Sequence, residues 1–401
     1  MTTREKKEVK SSSFIGFLAL VLALYGLINY YLIRRGWVAL RGWNRIQIIY
    51  LVFIVLASLA YPVSRTVPAR FLGQARAGLL FIGAFYLGFM FYFFLLILLW
   101  DLGRLVARLV PIRSLKGGGW LLPGSSAYRM RFGLILILTG LIVALGYINS
   151  LYPRIRQLEI KINKVIPESG CLRLVVVSDL HLGSIVGLSR LKKIVTMINS
   201  LEPDLIFLAG DIMDEAISPS QMKIAADTLT ELKARLAIVA SPGNHETYSQ
   251  KEKALEEITG GRLRVLADEK MVFDNKIIII GRRDRAIESR GEKRKKIEEL
   301  LGKMEGNPPL FLLDHQPWQL EEAEKAGIDL QVSGHTHAGQ LFPLNFLNRR
   351  IYEKYWGYHR RGRTHYYISC GVGTWGPPLQ TAARPEIVLL IVKGLKENKE
   401  K

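Results

Sequence analysis

The chain has 401 residues, 49% of them hydrophobic, and a formal net charge of +20, which is long enough for two folded units. The charge is uneven: up to Ser150, 17 Lys and Arg stand against three acids, so an excess of only 6 remains for everything beyond. Basic residues beside apolar stretches face lipid headgroups, which argues against a nucleic-acid binder, and two cysteines, Cys171 and Cys370, are too few for a disulfide framework.

Four uncharged apolar stretches come first, over 14–33, 46–64, 77–100 and 132–153. Each has the ~20 residues a helix needs to cross a hydrocarbon core of ~30 Å, so the spacing predicts four transmembrane helices in a membrane domain 1–153. The first ends in Ile28-Asn29-Tyr30-Tyr31, without a small-residue cleavage pattern, and is expected to stay as an anchor. With no charge inside the spans, a proton or ion pathway through them is not expected. Basic residues in the two short loops, Arg34 to Arg45 and Arg104 to Arg131, lean towards an extracytoplasmic C-terminal domain on a multi-pass protein of the cell membrane.

Residues 154–170 are mixed and polar, with Pro167 and Gly170, and read as a linker to a domain over 171–395. There, mostly continuous apolar runs predict strands at 174–177, 205–209, 236–240, 276–280, 310–313, 366–369 and 387–392, an alternating run predicts one at 328–332, and helical spacing covers 188–200 and 221–233. Strands buried on both faces and alternating with helices imply α/β layers, whose sites collect at the carboxyl edge of the sheet. The basic run 282–296 reads as a solvated helical face or, more sharply, as a patch that attracts phosphate or a membrane. Cys171 and Cys370 sit beside predicted strands; free buried thiols are the plainer reading, and one bridge stays open.

Five short motifs follow those strands: Ser178-Asp179-Leu180-His181, Gly210-Asp211, Gly243-Asn244-His245-Glu246, Asp314-His315 and Gly334-His335-Thr336-His337. Five of the seven histidines lie in them. Singly each motif is weak; as an ordered set at one strand edge they combine carboxylates, an amide oxygen and imidazoles. That mixed O and N donor set suits Mn, Fe or Zn better than Ca. Two such cations ~3.5–4 Å apart can clamp the attacking and leaving oxygens of a phosphoryl group.

Over 172–392 the chain resembles the calcineurin-like metallophosphoesterases, whose motif order this series matches. The run Gly334-His335-Thr336-His337-Ala338-Gly339-Gln340, with Gly371-Val372-Gly373-Thr374 and Pro385-Glu386-Ile387, is similar to the membrane-anchored YkuE/YaeI-type branch. The resemblance implies a four-layer αββα sandwich after the membrane helices and two divalent metal ions. It implies one metal on Asp179, His181, Asp211 and His337, another on Asp211, Asn244, His315 and His335, and Asp211 bridging. His245 would then stand beside the substrate phosphate, with Glu246 orienting it. Ser178, Asp214 and Thr336 are smaller candidates for orienting the ligands, and His359 and His365 lie in a stretch rich in Tyr, Trp and Arg that suits a membrane interface or substrate rim. Gln380 stands where many relatives would carry Arg, so a basic substrate contact is not expected there.

The function so implied is membrane-anchored hydrolysis of a phosphate ester or diphosphate, with membrane lipids as neighbours. By analogy with the branch the substrate is lipid-linked, a UDP-diacylglucosamine-like glycolipid or a phospholipid. The alternatives are a tethered phosphatase for a soluble substrate and a non-catalytic membrane sensor or scaffold with a structural metal site.

Overall fold

The computed structural model describes residues 3–109, 126–166, 170–183, 185–214, 217–273, 277–304 and 306–396. It divides into two compact units, Met1–Ala144 and Leu145–Lys401.

The first unit is helical. Helices α1 (Thr3–Ala39), α2 (Asn44–Thr66), α3 (Ala75–Leu109) and α4 (Ser126–Leu151) each hold a segment long and apolar enough to cross a membrane. Leucines such as Leu20, Leu56, Leu99 and Leu141 point outward and exposed, as the lipid-facing side of a bundle requires. Aromatic side chains fill the space between helices: Phe132 meets Tyr50 at 5.8 Å and Phe93 at 5.7 Å, edge to face. The buried Asn29 amide donates to the Tyr25 carbonyl at 2.8 Å and accepts from the Tyr86 hydroxyl, so this polar group inside the bundle is satisfied. Part of the second basic loop, with Arg113 and Lys116, lies outside the described residues.

The second unit holds two six-stranded sheets. The first runs β1 (Arg154–Ile166), β12 (Glu386–Lys396), β2 (Cys171–Val177), β3 (Leu205–Ala209), β4 (Ala237–Ser241), β5 (Arg264–Val265). The second runs β10 (Gly357–Arg361), β11 (Thr364–Ile368), β9 (Leu330–Ser333), β8 (Leu310–Leu313), β7 (Ile277–Gly281), β6 (Glu269–Phe273). Within them β2, β3 and β4 are parallel, as are β7, β8 and β9. Leu174, Val176 and Phe207 of one sheet pack on Ile279, Phe311 and Val332 of the other, forming the middle of the sandwich. The outer face of the first sheet is covered by α5 (Leu188–Asn199) and α6 (Pro219–Leu229), through Leu191, Ile194 and Met222. Short helices bring Leu300, Leu301 and Leu320 onto the outer face of the second. The expected four-layer αββα order is therefore present, and strands buried on both faces explain the continuous apolar runs.

Residues 154–166 correct one expectation. Instead of a linker they form the edge strand β1, parallel to β12 from Arg154↔Glu386 onward. Its alternation of Leu158, Ile160, Ile162 and Ile166 with polar residues buries one face and leaves the other to solvent. Lys276, the first residue of an expected strand, lies outside the described residues; β7 begins at Ile277. No disulfide joins Cys171 and Cys370, and the Cys370 thiol donates to the Arg384 carbonyl at 3.2 Å.

Candidate metal centre

The five motifs occupy the loops that leave the carboxyl ends of the parallel strands. Asp179 and His181 follow β2, Asp211 follows β3, Asn244 and His245 follow β4, His315 follows β8, and His335 and His337 follow β9. Asp179, His181, Asp211, His335 and His337 all have left-handed backbones, with φ between 46° and 71°. Non-glycine residues adopt this region at a cost of roughly 1–3 kcal/mol each, which the surrounding strands must hold in place.

Three groups of ligand atoms lie within 4.8 Å of one another: Asp179, His181 and His337; Asp211, His315 and His335; and His181, Asp211 and His245. In the first, the Nε2 atoms of His181 and His337 are 3.1 Å apart, and His337 Nε2 is 3.4 Å from Asp179 Oδ1. In the second, His315 Nε2 is 3.1 Å from Asp211 Oδ2, and His335 Nδ1 is 2.9 Å from Asn244 Oδ1. Asp211 stands between them, with Oδ2 also 3.9 Å from His181 Nε2 and 4.0 Å from His245 Nε2. The His335 backbone donates to Asp179 Oδ1 at 3.0 Å, joining the loops of the two sheets.

Burial dominates the electrostatics. It pushes the His181 and His337 imidazoles below their ordinary value, and His335 down to about 3 with the charge of His315 adding to the effect. Neutral imidazoles are what coordination requires. Burial opposes the charges of Asp211 and His315 as well. Their mutual attraction outweighs it, holding the Asp211 carboxyl well below and the His315 imidazole well above the usual range. Two facing imidazole nitrogens 3.1 Å apart beside a carboxylate, with the Nδ1 atoms of both rings buried and unpartnered, fit a divalent cation.

Two glycines make the close approach possible. A Cβ on Gly210, whose φ is +79°, would sit 2.5 Å from His315 Nδ1, and one on Gly243 would overlap the Asp211 carboxylate. Glu246 plays a different part from the one expected. Its buried carboxylate accepts from the backbone N–H of Asp211 at 3.0 Å, Gly243 at 2.9 Å and Met213 at 2.8 Å. It therefore fixes the turn that presents Asp211, while burial and the Asp211 charge raise its own pKa.

A cleft of about 290 Å³ opens over the cluster, lined by His181, Asp211, Asn244, His245, His335, Thr336 and His337 together with Asn348, Tyr352 and Trp375. The last three were not singled out from sequence. Two of them carried a signal there: Trp375 follows the Gly371-Val372-Gly373-Thr374 run, and Tyr352 lies in the stretch rich in Tyr, Trp and Arg that suits a substrate rim. The Thr336 hydroxyl donates to the Tyr355 carbonyl at 2.5 Å, Ser178 Oγ is buried without a partner, and the Asp214 backbone N–H donates to Leu182 at 2.9 Å. His359 and His365 lie elsewhere: His359 faces Glu353 at 3.1 Å, and His365 bridges Tyr358 and the Lys161 carbonyl of β1. Asp314 is held by Arg282 and Arg294 at 3.1 and 2.8 Å, so two cations of the basic run serve a buried ion network. Gln380 is fully buried away from the cleft, its backbone bonded to Gly146.

The calcineurin-like phosphoesterase family pattern matches residues 172–339. A transmembrane protein with metallophosphoesterase domain from Danio rerio is 32% identical over 65% of this chain and 62% of its own length, so the chain spans less than two thirds of that relative. An uncharacterized metallophosphoesterase of Helicobacter pylori strain J99 is 32% identical over 65% of this chain and 70% of its own. YkuE, an uncharacterized metallophosphoesterase of Bacillus subtilis, is 28% identical over 55% and 79%. On the motif series, the paired ligand groups at one sandwich edge and these matches, the chain belongs to the calcineurin-like metallophosphoesterase family, with the histidine and aspartate ligands of that family's binuclear site intact.

Proposed function

We propose that the chain hydrolyses a phosphate ester or diphosphate with two divalent cations, Mn, Fe or Zn. Asp179, His181, Asp211 and His337 hold one, and Asp211, Asn244, His315 and His335 hold the other. The observation that carries this reading is the place of Asp211, its carboxylate between both ligand groups and held ionised by His315. The cations supply Lewis-acid charge for the phosphoryl oxygens and bring water towards ionisation near neutral pH. The chain supplies the rest: Asp211 is shared, Glu246 braces its turn, and His245, at the cleft between Asp211 and Trp375, protonates the departing oxygen or steadies its charge.

Four apolar helices favour a site in the cell membrane and a lipid-linked phosphate as substrate, and the basic residues of the two short loops favour the extracytoplasmic side for the catalytic unit. The test is turnover by the detergent-purified full chain with added Mn²⁺ on an aryl phosphate, a phospholipid and a nucleotide-diphospho-lipid. Asp211→Asn should abolish all of it. His245→Ala should keep its metal and lose ~10²–10⁴ in rate. An absence of metal-dependent turnover on every substrate would overturn the enzymatic reading, and metal loss in His245→Ala would overturn the role of that residue.

A further inference from the structure

One helix of the catalytic unit is inside out. Asn345–Ile351 has no buried residue, whereas the other α-helices of this unit each bury at least one. Its polar side is the anchored one: Asn348 donates to the Thr336 carbonyl at 2.8 Å and lines the cleft. Its apolar side faces out. With the segment before it and the cleft's own Trp375, it displays Phe342, Leu344, Phe346, Leu347, Ile351 and Trp375, each between 39% and 56% exposed. A contiguous apolar rim of this kind marks a protein or membrane contact.

The end of the fourth candidate span says which. Its last turns belong to this same unit. Asn149 donates to the carbonyls of Gln380 and Ala383 at 2.7 and 2.8 Å, Gly146 accepts from the Gln380 N–H at 3.0 Å, and Ser150 reaches the Pro378 carbonyl at 3.1 Å. Thr381 in turn accepts from the Phe342 N–H at 3.0 Å and donates its own N–H to Gln340, whose side chain bonds Trp375. Span end, cleft loop and apolar rim are thus one hydrogen-bonded piece. At 1.5 Å per residue, Gly146 lies about 7 Å inside the helix end at Leu151, the depth of a headgroup layer. Arg349 and Arg350, exposed beside the rim, suit anionic headgroups.

We infer that the Phe342–Ile351 rim seats in the lipid interface next to the fourth span, so that the cleft walled by Asn348, Tyr352 and Trp375 opens onto the bilayer surface. The inference concerns the surface and stands whether or not the site hydrolyses anything.

The test uses the full chain carrying Cys171→Ser, in nanodiscs of phosphatidylcholine and phosphatidylglycerol. A bimane fluorophore goes on Leu347→Cys or, as control, on Ile224→Cys, an exposed position of α6. Brominated acyl chains should quench the label at 347 and not at 224, and aqueous iodide should do the reverse. Equal quenching at both positions would overturn the inference. So would a label at 347 shielded from bromine and iodide alike in a disc that holds two copies, which would assign the rim to a second chain. The part of the tryptophan emission lost in Trp375→Phe gives an independent reading, because bromolipid should dim that part and the Phe346→Glu, Leu347→Glu double variant should relieve the dimming.

Discussion

Replacing Glu246 by glutamine tests whether the Asp211 turn is held from behind. The carboxylate takes three backbone donors, Asp211 and Gly243 on Oε2 and Met213 on Oε1. A glutamine has one oxygen. Its best orientation keeps the Oε2 pair and turns an NH₂ towards the Met213 N–H, stranding a buried donor. That loss is worth ~1–3 kcal/mol, after allowing that the wild-type carboxylate is itself costly to bury. For a unit of this size the shift is roughly 2–12 °C in apparent unfolding temperature. Because the released turn carries the carboxylate central to both ligand groups, metal affinity should also fall, by ~10–100-fold, the usual cost of losing an outer partner of a metal ligand. Differential scanning fluorimetry and chelator competition on the detergent-purified full chain give the two readouts. Wild-type values for both in Glu246→Gln would refute the bracing role.

Gly243→Ala should be worse than an ordinary overpacking change, since the methyl group would overlap Asp211; loss of bound metal with the domain still folded by circular dichroism is the expected outcome. Metal affinity should rise with pH by up to ~10-fold per unit, because Asp211 keeps a proton on His315 that coordination must displace; calorimetry in buffers of different ionisation enthalpy should detect that proton's release. Away from the centre, buried His365 has a pKa lowered chiefly by burial. The unfolded chain then binds more protons as pH drops below about 6.5, so this contribution is full above that value and is lost as pH falls. His365→Gln should flatten that slope in unfolding temperature between neutral and mildly acidic pH.

Most of the sandwich could be read from sequence because buried parallel strands leave unbroken apolar runs; Leu205–Ala209 and Leu310–Leu313 are strands at the expected residues. The edge strand β1 was read as a linker because its charges drew more weight than the alternation of Leu158, Ile160 and Ile162 beneath them. β5 has only two residues, and β6 and β10 are partly exposed strands whose charged residues break the apolar run. The ligand loops were legible as motifs, whereas Asn348 enters the cleft through tertiary placement that no local spacing encodes. Glu246 looked like a partner of its neighbour His245 because adjacency is all a sequence displays. Its bonds run to the Asp211 turn, 35 residues away.

The spread of the centre along the chain constrains its biosynthesis. His181 meets His337 across 156 residues, and His335 closes on Asp179 across the same interval. During synthesis the N-terminal helices and the first strands emerge well before the β9 loop exists. A chain that ends before that loop lacks His337 from one proposed coordination shell and His335 from the other, so closing both shells is a late maturation step that a truncated product cannot complete.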